Sequence, residues 1–220
     1  MLDPFGLVSW PGSVLAASEL CRHNETAVKD RNVVVLGAGV GLETQAAAML
    51  GAKRIVATDI NPTTLEQLKY GSSRNERIDD ALVHTEIFDL FGTKQEQPIP
   101  APCDLLIVAD VLYSEQLANQ VCRRCAEAVE QNPSIRILIT DSQRFVPDFI
   151  DRLNEALSRV SSSFVDNYKV MGPTTKNKNH TVNTVARWKV ETMEKFQGSG
   201  VVIDEDQTYD VTAQSLWIGL

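Results

Sequence analysis

The chain has 220 residues, of which 43% are apolar and 23% are charged, and its formal net charge at pH 7 is −8. This length and composition favour a single domain over residues 1–220 and exclude an intrinsically disordered chain. The acidic balance argues against a main role in binding nucleic-acid phosphates, and no apolar run approaches the roughly 20 residues of a membrane span.

The cysteines indicate the compartment. Four cysteines are too few for a disulfide scaffold, and the first residues lack the basic start and apolar core of a signal peptide. We therefore expect a cytoplasmic protein, with the nucleus as the alternative. Cys122 and Cys125 have the spacing of a metal-ligand pair, but no second Cys/His pair accompanies them. We expect both to be buried in a helix and expect no metal site.

Strand and helix patterns alternate through the first half of the chain. Residues 32–36 form a Val-rich run that is typical of a strand buried on both faces. The Ala-rich residues 42–50 predict a helix that ends at Gly51. Residues 54–58 predict a second strand, and Asn61-Pro62 is a good start for the next helix.

The alternation continues in the second half. Three further strands are predicted over residues 82–88, 104–109 and 135–140. One apolar stripe predicts the helix between the last two of these strands and is formed by Leu117, Val121, Cys125 and Val129. Another helix begins near Pro147, and the last two strands are predicted over residues 164–171 and 210–218. This order predicts an α/β fold, a three-layer αβα sandwich around a mostly parallel sheet.

Residues 172–200 have the least regular pattern. Their first part is polar. Their second part favours a helix because five residues recur at helical spacing, namely Val185, Trp188, Lys189, Met193 and Phe196. We expect this stretch to be an insertion or a long hairpin.

A glycine-rich turn is the strongest local signal for function. Gly37, Gly39 and Gly41 follow the first strand and open the Ala-rich helix. Glycines let the backbone turn sharply and approach a ligand, while the helix N-terminus offers free N–H groups. The third glycine comes one residue earlier than in the dinucleotide fingerprint, so that Leu42 holds its place. The turn predicts a cofactor site.

Acidic residues follow three other strands. Asp59 lies 20 residues after Gly39, where a carboxylate can bind the ribose hydroxyls of a nucleoside. Asp89 and Asp110 follow the third and fourth strands. Because the carboxyl ends of parallel strands meet at one crevice, these residues should surround one ligand. Tyr113 lies just beyond Asp110 and could wall a slot for an amine. The alternative is that these are turn, capping and packing residues.

Three motifs in this order resemble those of class I AdoMet (S-adenosyl-L-methionine)-dependent methyltransferases. Trp10-Pro-Gly-Ser-Val-Leu-Ala, Leu36-Gly-Ala-Gly-Val-Gly-Leu and Ala109-Asp-Val-Leu-Tyr are similar to motifs of the family-16, methyltransferase-like 21 type, protein-lysine methyltransferases. Asn75 and Arg144 also match that pattern, whereas Val35 stands where the family usually has an acid. The resemblance covers roughly residues 5–149.

The resemblance implies a Rossmann-like sheet of seven strands with an antiparallel last strand, and AdoMet as the cofactor. It implies that residues 1–25 cover the cofactor and that Asp110 and Tyr113 are the catalytic residues. The cofactor-binding residues that it implies are Trp10, Gly37, Gly39, Gly41, Asp59, Ile60, Asp89 and Ala109.

The function that follows is methyl transfer to a lysine of a protein, by a chain that binds neither nucleic acid nor membrane and acts as a monomer. Three alternatives stay open. The first is a methyltransferase for a small amine or pyridine-like nitrogen. The second is a nucleotide-dependent oxidoreductase. The third is a catalytically silent interaction module, which the residue Val35 would suit.

Overall fold

The computed structural model describes residues 4–142, 148–160, 189–196 and 209–219. Its strands are β1 (Asn32–Leu36), β2 (Arg54–Asp59), β3 (Val83–Ile87), β4 (Leu105–Ala109), β5 (Arg136–Asp141), β6 (Lys189–Phe196) and β7 (Tyr209–Ile218). Its α-helices are α1 (Pro11–Arg22), α2 (Leu42–Met49), α3 (Pro62–Ser73), α4 (Glu115–Gln131) and α5 (Phe149–Val160). Among the described residues, none of the helices is long and apolar enough to cross a membrane.

The seven strands form one sheet in the order β3-β2-β1-β4-β5-β7-β6. Strands β1 to β5 are parallel, and β7 runs antiparallel to both β5 and β6. Strands β2 and β3 are added on one side of β1, and β4 and β5 are added on its other side, so the order of the strands across the sheet switches after β3. This confirms the predicted mostly parallel sheet and its antiparallel last strand.

Two apolar layers cover the faces of the sheet. Val33 and Val35 of β1 point into a cluster with residues of α1, α2 and α3, whereas Val34 and Leu36 point into a cluster with residues of α4 and α5. Successive residues of a strand face opposite sides, so a run of apolar residues is what a strand covered on both sides requires. The αβα sandwich is therefore confirmed.

Local sequence signals set several element boundaries. The side chain of Asn61 caps α3 by accepting a hydrogen bond from the amide of Thr63, and Gly51 turns the chain after α2 with a φ of +85°. The stripe on α4 faces the core, where Cys122 and Cys125 are buried as predicted.

The C-terminal part contains the clearest error of the sequence prediction. The helix expected over residues 185–196 is wrong, since Lys189–Phe196 is the strand β6. This segment pairs antiparallel with β7, and the sheet hydrogen bonds override its helical spacing. The strand expected over residues 164–171 lies outside the described residues, as do Arg144 and residues 172–188. The strand expected over residues 210–218 is confirmed as β7.

Candidate active site

A pocket of about 330 Å³ opens at the carboxyl ends of β1, β2 and β4. This is the edge at which open parallel sheets bind ligands, next to the strand where the chain changes direction. The walls come from the segment before α1, the glycine turn and the loops after β2, β3 and β4. All ten predicted site residues line it, namely Trp10, Gly37, Gly39, Gly41, Asp59, Ile60, Asp89, Ala109, Asp110 and Tyr113.

The glycine turn forms one wall of the pocket. Gly37, Gly39 and Gly41 have φ values of +68°, +52° and +81°, which side chains rarely tolerate. A Cβ on Gly37 would also lie 2.7 Å from Val111, and one on Gly39 would lie 3.2 Å from the carbonyl oxygen of Gly6. The turn therefore has room for the backbone only, and the N-terminal segment packs directly against it.

Asp59 is fixed in place by backbone amides. Its Oδ2 accepts a hydrogen bond of 2.9 Å from the amide of Gly39, and its Oδ1 accepts one of 2.9 Å from the amide of Asn61. Each carboxylate oxygen can accept more than one hydrogen bond, so the group retains capacity for ligand hydroxyls. The orientation of this carboxylate is thereby set before any ligand arrives.

A buried arginine holds the loop that carries Asp89 in place through hydrogen bonds. Arg124 of α4 donates hydrogen bonds to the carbonyl oxygens of Asp89, Gln97 and Gly92 at 3.1, 2.8 and 2.7 Å. It also forms an ion pair of 2.7 Å with Glu127. These contacts attach the loop after β3, which forms one wall of the pocket, to the helix α4.

Asp110 ties the N-terminal helix to the sheet. Its Oδ2 accepts a hydrogen bond of 2.5 Å from the amide of Gly12, and its Oδ1 accepts two of 2.7 Å from the amide and hydroxyl of Ser142. Thr140 donates a hydrogen bond of 2.8 Å to the carbonyl oxygen of Gly12. Asp110 has a φ of +55°, a conformation that persists only where its surroundings hold it.

Exposed apolar side chains lie around the mouth of the pocket. Half of Tyr113 is exposed, and Ile60 and Phe91 are exposed to a similar or greater extent. Leu42 is partly exposed beside the glycine turn. Large apolar side chains that cluster at the mouth of a pocket are typical of a surface that receives a ligand or a partner.

Several residues of the site were not predicted from the sequence. Ser13, Asn61 and Phe88 also line the pocket, and Glu43 lies buried behind it. Asn61 follows β2 next to Ile60, and Phe88 follows β3 next to Asp89. Because ligands bind at the carboxyl ends of parallel strands, the sequence could have indicated both residues. Glu43 and the buried Arg124 have no comparable sequence signal.

The described lining residues carry negative charge only. They include Asp59, Asp89 and Asp110, and none of them is lysine, arginine or histidine. The pocket thus combines apolar walls, a side-chain-free glycine turn and fixed carboxylates. This combination fits a nucleoside that carries a positive charge.

A family model described as lysine methyltransferase matches residues 2–156 of the sequence. This match includes the glycine turn, the three strand-end aspartates and Tyr113. The chain belongs to this family. This is a family of lysine methyltransferases, and S-adenosyl-L-methionine is the cofactor.

Curated relatives agree with the family. The methyltransferase is 30% identical over 183 residues to the protein-lysine methyltransferase METTL21E of Mus musculus, an alignment that covers 77% of this chain and 72% of the relative. It is 30% identical over 119 residues to the electron transfer flavoprotein beta subunit lysine methyltransferase of Homo sapiens, covering 54% and 42%. The chain spans less than two thirds of the Bos taurus METTL21E, 61% of its length.

Solved structures share the fold. A Pyrococcus horikoshii protein provisionally named an RNA methyltransferase has a TM-score of 0.61 and 13% identity, covering 99% of this chain and 90% of its own. Precorrin 8W decarboxylase of Methanobacterium thermoautotrophicum has a TM-score of 0.58 and 16% identity, covering 100% and 96%. At such identities the likeness shows the fold alone.

Proposed function

We propose that this methyltransferase modifies the ε-amine of a lysine in a protein acceptor, which enters the pocket past Tyr113. The observation that carries this proposal is the acid-lined pocket with an apolar rim. Carboxylates attract a cationic cofactor and a cationic side chain, and an exposed aromatic ring suits the aliphatic stem of a lysine.

The residues of the pocket fit the cofactor, and we assign them as follows. The glycine turn lets the ligand approach the protein backbone closely. Asp59 accepts hydrogen bonds from the ribose hydroxyls, and Asp89 lies toward the adenine. Trp10 and the segment before α1 cover the site, and Ile60 and Ala109 contribute apolar walls. When bound, the cofactor supplies a methyl group that is already activated on a sulfonium.

Asp110 and Tyr113 act on the acceptor side of the site. An ammonium has no lone pair, so the lysine must lose a proton before it reacts, and burial next to a positive charge lowers the pKa of an amine. A carboxylate favours the charged amine, and the oxygens of Asp110 already accept hydrogen bonds from Gly12 and Ser142. Asp110 therefore serves as a positioning residue, and Tyr113 shapes the slot in which the amine is aligned.

The test uses the purified chain, methyl-labelled AdoMet and a cell lysate, followed by amino-acid analysis of the labelled fraction. We expect label in methyl-lysine of protein and no such label with Asp59→Ala. Label confined to small molecules would favour the small-amine alternative. Binding of neither AdoMet nor S-adenosylhomocysteine (AdoHcy) would favour the silent interaction module, and binding of NAD would favour the oxidoreductase.

We also propose that the protein acts as a monomer in the cytoplasm, with the nucleus as the alternative compartment. The four free thiols support a reducing compartment. Light scattering of the purified chain and fractionation of cells test these two points, and a stable dimer or a secreted pool would contradict them.

A further inference from the structure

Glu43 is a buried carboxyl group behind the wall of the cofactor pocket. It lies in the first turn of α2, directly after the glycine turn, and only 1% of it is exposed. Gly41 and Leu42, which precede it, line the pocket, as does Ser13, whose side chain interacts with the carboxyl group. Oε2 of Glu43 has no hydrogen-bond partner among the described residues. A buried carboxylate in this state is costly unless it is protonated or a cation lies nearby.

The charged groups that act on Glu43 are acidic. They are Asp110, which follows β4, and Asp59, which ends β2. Burial has the largest effect, and together with these two aspartates it raises the pKa of Glu43 to about 7. In the free protein, protonated and ionised forms therefore coexist near neutral pH.

Among the described residues, no other charge on the neighbouring elements acts on Glu43. Strand β1 carries no titratable residue. On α1, Glu19 pairs with Arg22 and with Lys189 of β6. Glu191 of β6 pairs with the same two cations, so these four groups neutralise one another in their own network. At the opposite end of β2 from Asp59 lies Arg54.

The cofactor supplies the positive charge that the lining residues lack. AdoMet carries a sulfonium, whereas the product AdoHcy carries a neutral thioether, so the two ligands differ in this charge. A cation in the pocket favours the ionised form of a nearby carboxyl group. We propose that Glu43 couples a proton to the occupant of the pocket: it releases its proton to solvent when AdoMet occupies the pocket, and it takes up a proton from solvent when AdoHcy replaces AdoMet.

This inference rests on the pocket being the cofactor site, and calorimetry separates the two questions. AdoMet and AdoHcy are each titrated into the wild-type chain at pH 7.0, in two buffers of different ionisation enthalpy. We expect AdoMet to release about half a proton, since a group with a pKa of about 7 is half protonated there. We expect AdoHcy to release clearly less.

The variant Glu43→Gln identifies the group, and Glu66→Gln, which changes an exposed glutamate of α3, is the matched control. In the wild type and the control, the Kd for AdoMet should fall about tenfold between pH 5.5 and pH 7.0, relative to Glu43→Gln. Equal proton release with both ligands, or release that persists in Glu43→Gln, overturns the inference and leaves the cofactor site in place. If neither ligand binds, the site assignment falls together with the inference.

Discussion

The amide of Gly12 donates a hydrogen bond of 2.5 Å to Oδ2 of Asp110, a residue 98 positions later in the chain. Gly12 lies in the first turn of α1, and Asp110 directly follows the strand β4. The bond joins the Trp-Pro-Gly motif to the Asp-x-x-Tyr motif. The N-terminal residues that line the pocket are therefore held by a carboxylate that also lines it.

Gly12→Ala tests this connection. An added Cβ would lie 2.5 Å from Oδ2 and 2.6 Å from Cγ of Asp110, so α1 must shift away from the sheet. We expect the variant to lose about 1–3 kcal/mol of stability, as overpacked sites do, and to bind AdoHcy at least about tenfold more weakly. Urea unfolding and calorimetry measure the two effects.

Gly71→Ala is the matched control for this variant. Gly71 lies in α3, and the nearest atom to an added Cβ is Nε2 of Gln45 at 3.4 Å. Alanine is favoured over glycine within a helix by up to about 1 kcal/mol, so stability should be unchanged or higher. Equal AdoHcy affinity in the Gly12 and Gly71 variants would show that the covering segment does not depend on the Gly12–Asp110 bond.

Tyr113→Ala separates acceptor binding from cofactor binding. Half of Tyr113 is exposed at the mouth of the pocket. We expect kcat/KM for a protein acceptor to fall about tenfold or more, because the amine is no longer aligned, while the Kd for AdoHcy changes less than about twofold. Tyr70→Ala, at a 70% exposed position on α3, should change neither quantity. A parallel loss of AdoHcy affinity in Tyr113→Ala would place the ring in the cofactor site.

Arg124→Met tests the contacts that hold the Asp89 loop in place. The change leaves Glu127 buried without its ion-pair partner and removes the arginine hydrogen bonds to the carbonyl oxygens of Asp89, Gly92 and Gln97. Breaking a buried ion pair costs about 3–5 kcal/mol, and the loop should also hold the cofactor less firmly.

The comparison for Arg124→Met is Lys94→Met, which removes a charge from the same loop. Lys94 pairs with Glu130 on the surface, where an ion pair contributes at most about 1 kcal/mol. Urea unfolding should therefore separate the two variants clearly. Similar midpoints would mean that the contacts of Arg124 contribute no more than a surface pair.

The sequence predicted the parts of the fold that depend on local pattern. The Val-rich run of β1, the cap at Asn61 and the positions of the strand-end aspartates all follow from residues that are close in sequence. The strand β6 could not be predicted this way, because it is a strand through its pairing with β7 rather than through its own pattern.

The candidate site divides in the same manner. The glycine turn and Asp59 are recognisable because they are coupled over 20 residues through one strand-helix-strand unit. The surroundings of Glu43 include instead Ser13 of α1 and the charge of Asp110, which only the tertiary fold brings near α2. A glutamate in the first turn of a helix is ordinarily a favourable surface residue, so nothing in its sequence context indicates a buried acid.

Glu43 also makes the stability of the ligand-free protein depend on pH. Its pKa is about 7 in the fold, against an ordinary value of 4.5, so between these values the folded state binds more protons than the unfolded state. The contribution of Glu43 to stability is therefore fully present below pH 4.5 and is lost as the pH rises toward 7. Relative to Glu43→Gln, the wild type should lose about 3 kcal/mol between pH 4.5 and pH 8.

Urea unfolding of both chains without ligand at a series of pH values measures this difference. Comparing changes with pH, rather than absolute stabilities, removes the constant effect of placing an amide at a buried site. The control Glu66→Gln should follow the wild type throughout, because that carboxyl group is exposed. Parallel profiles for the wild type and Glu43→Gln would mean that Glu43 is ionised to the same extent in the folded and unfolded states.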